Sequence, residues 1–430
     1  MALFSQDALQ PGVRSREVFG WAMYDFANSG YTTVVLTAVF SAYFVGVVAN
    51  GAPWATFVWT LALSLSHAVV MATMPSMGAW ADRHAGKKRL LMLSTVGCVL
   101  ATASLAWVGA GAVLLAVMLI VLSNVFYSWG ESLIAAFLPE LARPAAMGRV
   151  SGWGWSLGYL GGMLALGLSL GYVIWAKAQG QSAAQFVPVT MVITAVIFAL
   201  AASVTMGLLT ERARPSLAVE SAGIRASLAR LKTTFREARE YTDFMWLLAC
   251  AVAYQGGVAV AISLAAIYAE QVIGFVQQET MVLIFVLNIA AMVGAFAFGY
   301  GQDRFGHKNA LGFTLVGWVV TCLLAALTTT KGGFWYAAAI AGLCMGSSQS
   351  SGRAMAGMLA PPARSAEFFG LWAFATRLAS IIGPLSYGAI TWATGGNQRL
   401  AIGATGVLFM IGLGLLLPVN MQRGRERALA

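Results

Sequence analysis

From residue 19 to residue 419 the chain is a succession of apolar runs of about 20 residues or more, separated by short polar loops. A run of that length crosses about 30 Å of hydrocarbon as a helix. Only 10% of the residues are charged and 59% are hydrophobic, whereas an average soluble domain is about a quarter charged. Twelve spans are expected, at 19–48, 54–79, 90–109, 111–138, 150–174, 187–209, 243–269, 278–301, 310–329, 334–358, 366–392 and 399–419. The 47 glycines would weaken soluble helices, but in a membrane they let backbones approach closely. The chain is thus an all-α integral membrane protein with little room for a soluble domain.

The net charge of +10 does not point to nucleic acid, because no basic face with interleaved aromatics exists. Loops after odd-numbered spans hold few cations: Lys177, Lys331 and Arg399. The other loops and the termini hold most of the rest, among them Arg14, Arg16, Arg83, Lys87, Lys88, Arg89, Arg143, Arg149, Arg304, Lys308, Arg364, Arg423, Arg425 and Arg427. By the positive-inside rule both termini are expected in the cytoplasm, in a plasma (inner) membrane. Arg14 and Arg16 precede a first span too long for a cleaved signal peptide. The one long polar stretch, 210–242, places Ile224, Leu228, Leu231 and Phe235 on one helical face and Arg225, Lys232, Arg236 and Arg239 on others. It reads as a cytoplasmic basic linker with an amphipathic helix lying on membrane lipid, joining residues 1–209 to 243–430. Cys98, Cys250, Cys322 and Cys344 all lie in apolar runs without metal-ligand spacing.

The chain repeats itself. Gly78-Ala-Trp-Ala-Asp82-Arg83 ends the second run, and Gly299-Tyr-Gly-Gln-Asp303-Arg304 ends the eighth, 303 − 82 = 221 residues later. Short basic loops follow both copies. Pro139, Gly148 and Gly161 recur as Pro361, Gly370 and Gly383, each 222 residues on. Two six-span halves built on one plan are a feature of secondary transporters.

This duplicated loop motif after spans 2 and 8 resembles the major facilitator superfamily over essentially the whole chain. Four stretches are more specific: Trp21-Ala-Met-Tyr-Asp-Phe-Ala-Asn-Ser-Gly-Tyr31, Phe137-Leu-Pro-Glu-Leu141, Gly148-Arg-Val-Ser-Gly-Trp-Gly-Trp-Ser-Leu-Gly-Tyr-Leu-Gly-Gly162, and Ala366-Glu-Phe-Phe-Gly-Leu371 with Ile382-Gly-Pro384. They resemble the branch known as the unknown major facilitator family, which contains the fungal autophagy-related vacuolar amino-acid effluxer. The resemblance implies twelve transmembrane helices in two pseudo-symmetric six-helix bundles that rock about a central cavity. It also implies a gating role for Gly78, Asp82, Arg83 and Lys87 and for Gly299, Asp303 and Arg304. Gly78 offers no side chain where helices cross. Asp82 is expected near the N-terminus of the following helix, where the dipole favours a carboxylate. Arg83 and Lys87 can pair with it or with lipid phosphate.

Four ionisable residues fall inside spans: Asp25, Glu131, Arg353 and Arg377. Each costs roughly 3 kcal/mol at a helix centre, and two acids in one half facing two bases in the other suggest pairing across the cavity. Asp25 shares a face with Asn28, Ser29 and Thr32. It can bind a proton, or coordinate Na⁺ with Asn28; a helix-start cap is the bland alternative. Glu131 ends a stripe of Asn124, Tyr127 and Ser128. It can carry a proton, contact a substrate amine, or simply bridge to Arg353. Arg377 stays protonated, so it either clamps a carboxylate or serves as a counter-ion. Gln349 and Arg353 lie on the polar tenth span, and Tyr254 and Gln255 on the seventh.

The expected activity is ion-coupled transport, with H⁺ or Na⁺, of a small polar solute by a monomer. An amino acid or similar zwitterion suits a cavity holding both charge signs, and the resemblance favours efflux. A rival reading is a copper or other transition-metal permease using His67, Met71, Met74 and Met77 on one side of span 2. Packing explains a methionine stripe equally. There is no phosphate-binding loop and no catalytic triad can be assembled from three histidines, so neither an enzyme nor a cofactor is expected.

Overall fold

The computed structural model describes residues 4–52, 54–212, 233 and 235–430, which form helices and no strands. The long helices are α1 (Ser15–Val48), α2 (Ala55–His84), α3 (Lys87–Ser104), α4 (Val113–Ala135), α5 (Met147–Ala178), α6 (Ala183–Leu208), α7 (Thr242–Tyr268), α8 (Gln277–Phe305), α9 (His307–Leu327), α10 (Lys331–Leu359), α11 (Ser365–Ala393) and α12 (Gln398–Leu416). A short helix α13 (Met421–Leu429) closes the chain. Eleven of the twelve are long and apolar enough to span a membrane. The exception, α10, has 29 residues, but the run Ser347-Ser348-Gln349-Ser350-Ser351 and Arg353 interrupt its apolar character. The basic helix expected over 210–242 falls mostly on residues 213–232 and 234, outside the described residues.

Helix α1 starts at Ser15 rather than near residue 19, because Glu17 accepts the backbone N–H of Arg14 and closes the first turn. Asp25 therefore lies ten residues in (25 − 15), too deep to cap the helix. Past Tyr31 the helix widens into π-helical turns over Thr32–Ala38 and Phe44–Val48. Thr330 and Asn397 cap α10 and α12 through the backbone N–H groups of Gly333 and Leu400. Leu100, Leu200 and Phe313 are exposed on the outer faces, as a lipid-facing surface requires.

The two bundles, α1–α6 and α7–α12, follow one plan. In the first, α1 packs on α5 and α6, and α3 on α4 and α6; in the second, α7 packs on α11 and α12, and α9 on α10 and α12. The repeated glycines explain part of this. A side chain on Gly161 would run into the backbone of Phe26 in α1, and one on Gly383 into that of Gly256 in α7. The bundles meet chiefly along α2–α11 and α5–α8, again related by the internal symmetry.

Candidate functional site

Both copies of the repeated motif lie at the end of the molecule that carries the termini, and each reaches across to the other bundle. The Asp82 carboxylate accepts the backbone N–H groups of Ala366 and Glu367 at 3.1 and 2.9 Å. It thus caps α11, not the adjacent α3 as expected from sequence; Glu211 caps α3 instead, accepting the N–H groups of Lys87 and Lys88 at 2.8 and 3.0 Å. The preference follows from close packing: Gly78 lets α2 press directly on Ala366 and Glu367, which brings four-residue-distant Asp82 onto the positive end of α11. Lys87 is buried, 3.6 Å from Asp82, paired with Glu140 and 2.9 Å from the Ser365 hydroxyl. Arg83 is half-buried.

The second copy does the same. Asp303 accepts the N–H groups of Gly148 and Arg149 at 2.8 and 3.0 Å, capping α5, and pairs with the Arg149 side chain at 3.1 Å. Gly299 faces Gly148 and Gly152, and Arg304 is exposed over the Phe305 ring. Two carboxylates from opposite bundles therefore join the bundles at this end of the molecule.

Deeper between the bundles all four intramembrane charges are paired across the interface. Arg353 of α10 donates to Asp25 of α1 at 2.6 Å. Its guanidinium also lies over the rings of Trp21 and Trp155, 4.8 and 5.2 Å from their centroids. Glu131 of α4 pairs with Arg377 of α11, not with Arg353 as one sequence alternative had it. The reason is rotational: Arg353 faces α1 and α5, while Arg377 lies over Tyr127, whose hydroxyl donates to Glu131 at 3.1 Å. The two pairs differ in access. The Asp25 and Arg353 side chains are 10% and 6% exposed, whereas Glu131 is 34% exposed beside an Arg377 at 13%.

Around these pairs the structure collects several polar groups. Gln255 and Gln349 exchange hydrogen bonds at 2.9 and 3.2 Å, and Gln255 donates to the Tyr254 hydroxyl at 3.3 Å. Asn28 is buried, and neither of its amide atoms has a hydrogen-bond partner among the described residues; the same holds for the Ser128 hydroxyl and the Arg377 Nε. Asn124 donates to Ser66 of α2, and its own amide oxygen has no hydrogen-bond partner among the described residues.

On α2, Met74 is fully buried beside Gly370 of α11, which is a packing position. His67 lies within electrostatic reach of the Arg377 cation. An apolar cavity of about 60 Å³ inside the second bundle, lined by Gly257, Trp318, Phe334 and Phe409 among others, contains no charged side chain and offers a polar solute nothing.

Sequence reading missed Ser151, Gln302 and Glu140, all buried or half-buried partners of the groups above. One signal was available for the charges: 353 − 131 = 222, so Glu131 and Arg353 occupy equivalent positions with opposite sign.

Twelve long helices in two equivalent bundles, joined at one end and charge-paired between, are the architecture of a membrane transporter of the major facilitator superfamily. Within it, the chain belongs to the vacuole effluxer Atg22-like family, whose model matches residues 42–429. It is 26% identical over 405 residues to the uncharacterized MFS-type transporter YxiO of Bacillus subtilis, covering 92% of this chain and 93% of that one. It is 25% identical over 308 residues to autophagy-related protein 22-1 of Aspergillus fumigatus, covering 66% of this chain but 49% of that protein. The chain thus spans about half the length of that fungal relative. Among solved structures, the human organic anion transporter MFSD10 aligns with a TM-score of 0.74 at 17% identity, over 95% of this chain and 100% of that one. An outward-facing bacterial homologue of the iron transporter ferroportin aligns at 0.69 with 14% identity, over 94% and 98%. At these identities the likeness is one of fold.

Proposed function

We propose that the protein is a proton-coupled secondary transporter that moves a small zwitterion, such as an amino acid, by alternating access. The observation that carries this reading is the pair of ion bridges between the bundles. A bridge between moving bodies stabilises one conformation, and it breaks when either partner is neutralised or bound by something else. The enclosed pair suits the proton: Arg353 keeps its charge, so Asp25 is the member that titrates. The more open pair suits the cargo. Glu131 receives an ammonium and Arg377 a carboxylate, with Asn28, Ser128, Gln255 and Gln349 as neutral contacts. The Asp82 and Asp303 latches close the cytoplasmic side while the cavity opens to the other. Charge asymmetry supports a cytoplasmic location for the latched end and both termini in a plasma membrane. Family membership supports efflux as the direction. The methionine face of α2 gains no support as a metal path, since Met74 packs against α11 and His67 stands near a cation.

The test is a thermal-stabilisation screen of the purified protein against amino acids, peptides, sugars, organic anions and metal salts, followed by flux of the hit in liposomes with an imposed pH gradient. Stabilisation by a zwitterion and gradient-driven accumulation that Asp25→Asn abolishes are expected. Stabilisation by Cu(I) alone, or accumulation indifferent to Asp25→Asn, overturns the reading.

A further inference from the structure

The first turn of α5 is gripped twice by the second bundle. From α8, Asp303 caps it through Gly148 and Arg149. From α10, Arg353 takes hold one turn later: its Nε donates to the Ser151 hydroxyl at 3.2 Å and its Nη2 to the Ser151 carbonyl at 2.8 Å. The same hydroxyl donates to the Ser350 carbonyl at 2.8 Å. Gln302, next to Asp303, closes the circuit by donating to the Gly148 carbonyl at 3.2 Å and the Ser350 hydroxyl at 3.0 Å, while His307 contacts its Oε1 at 3.2 Å. Ser151, Ser350 and Gln302 are fully buried. The remaining guanidinium nitrogen of Arg353 holds Asp25. One unbroken set of hydrogen bonds thus runs from the membrane-centre ion pair to the latch at the basic end. The first motif copy lacks these two side chains: the residue before Asp82 is Ala81, the position matching Ser151 is Ala373 (373 − 151 = 222), and Lys87 lies 3.6 Å from Asp82.

We propose that Ser151 is a positioning residue that ties the Asp303 latch to the charge of the Asp25–Arg353 pair, so that neutralising Asp25 loosens α5 from α8. This rests on the reading of Asp25 as the coupling carboxylate. With Asp25 charged, each of the three guanidinium nitrogens makes a hydrogen bond, and together they pull the α5 turn against α10. With Asp25 neutral, a buried cation is left with only Ser151 and two indole faces. It is better solvated if α10 withdraws from α5, and that withdrawal takes Ser350 and Gln302 with it. The charged and titratable groups facing this pair are few: Glu131 from α4 acts on Asp25, and Tyr159 from α5 faces Arg353. At the latch they are Asp303, Arg149, His307 and Asp7.

The experiment uses the full chain in nanodiscs, with its four buried cysteines replaced and spin labels on Ala145→Cys and Phe305→Cys, both exposed positions flanking the latch. The interlabel distance is measured against pH. The unmodified background should lengthen on acidification, and Asp25→Asn should be long at every pH. Ser151→Ala removes the hydroxyl's bonds to Arg353 and to the Ser350 carbonyl, of which the one to the charged group alone is worth about a tenfold change in the latch equilibrium. Opening linked to one proton shifts tenfold per pH unit, so the Ser151→Ala midpoint should move up by about one unit. Ser151→Thr, which keeps the hydroxyl, should restore it. A merely structural serine would lower thermal stability without moving the midpoint. A Ser151→Ala midpoint equal to the background's, in a background that does respond to pH and to Asp25→Asn, overturns this proposal and leaves the coupling reading standing. A distance indifferent to both pH and Asp25→Asn overturns the two together.

Discussion

Gly78 and Gly299 occupy the same place in the repeated motif, yet the structure predicts that only one tolerates a methyl group. A Cβ on Gly78 would lie 2.6 Å from the Ala366 carbonyl carbon and 2.8 Å from the Glu367 Cα, where carbon contacts ordinarily settle at about 3.5–4.0 Å. Both are backbone atoms, so α2 and α11 must part by roughly 1 Å. The Asp82 hydrogen bonds, 3.1 and 2.9 Å long, would then stretch to about 4 Å and be lost. Two bonds to a charged acceptor contribute about 1.5 kcal/mol each, so Gly78→Ala should weaken the closed end by about 3 kcal/mol, or more than a hundredfold in population. On Gly299 the nearest atoms are the Gly148 carbonyl oxygen at 3.1 Å and the Gly152 Cα at 3.3 Å, a gap that a few tenths of an ångström relieves. Gly299→Ala should cost less than about 1 kcal/mol. Spin-label distances between Arg89→Cys and Ala363→Cys, exposed residues on opposite bundles at this end, report the first latch; the pair at residues 145 and 305 reports the second. Equal opening by the two alanines, or a larger effect at Gly299, would refute the packing argument.

Removing one member of an enclosed ion pair leaves the other stranded, so Asp25→Asn and Arg353→Gln should each lower the stability of the latched state by about 3–5 kcal/mol. The double variant should recover most of that in thermal unfolding, and simple additivity would contradict the pairing. At the more open bridge, Glu131→Gln and Arg377→Gln should cost less, because Glu131 is already one-third exposed, and should weaken cargo affinity more than they lower melting temperature; an isothermal titration with the screened zwitterion decides this. Replacing Met71, Met74 and Met77 together by leucine conserves volume and should leave zwitterion flux within about twofold; loss of metal flux in that variant would revive the permease alternative. At the other end, Lys331 holds the Glu279 carboxyl below its usual range by hydrogen bonding to it. A depressed carboxylate stabilises the fold above the unfolded value and loses that contribution as pH falls through the folded one. Lys331→Ala should therefore lower the melting temperature slightly at neutral pH and change nothing in acid, where Glu279 is protonated in both folded and unfolded states.

Much of the site was visible before any tertiary contact was known. Asp25, Glu131, Arg353 and Arg377 stand out because an ionisable group in an apolar run must be explained by a partner or a task. The polar run of α10 stood out on the same ground, and α10 is the helix that fails as an apolar span. What could not be read was who meets whom. From the sequence Asp82 belongs with α3, five residues away, yet it caps α11 nearly three hundred residues on. Glu131 had Arg353 and Arg377 as equivalent prospects. Ser151 gave no signal at all, since a serine beside glycines in a membrane helix is ordinarily packing filler.

Hydropathy, helical period and self-similarity are properties of contiguous residues. They give twelve long apolar or nearly apolar segments, a second half that repeats the first, and the segments in which ionisable residues fall. Pairing depends instead on how far each helix is rotated about its axis and slid along its neighbours, and close glycine contacts set both. Those contacts form between segments more than a hundred residues apart, so only the assembled bundles could decide that Asp25 belongs to Arg353, Glu131 to Arg377, and each latch to the helix of the opposite half.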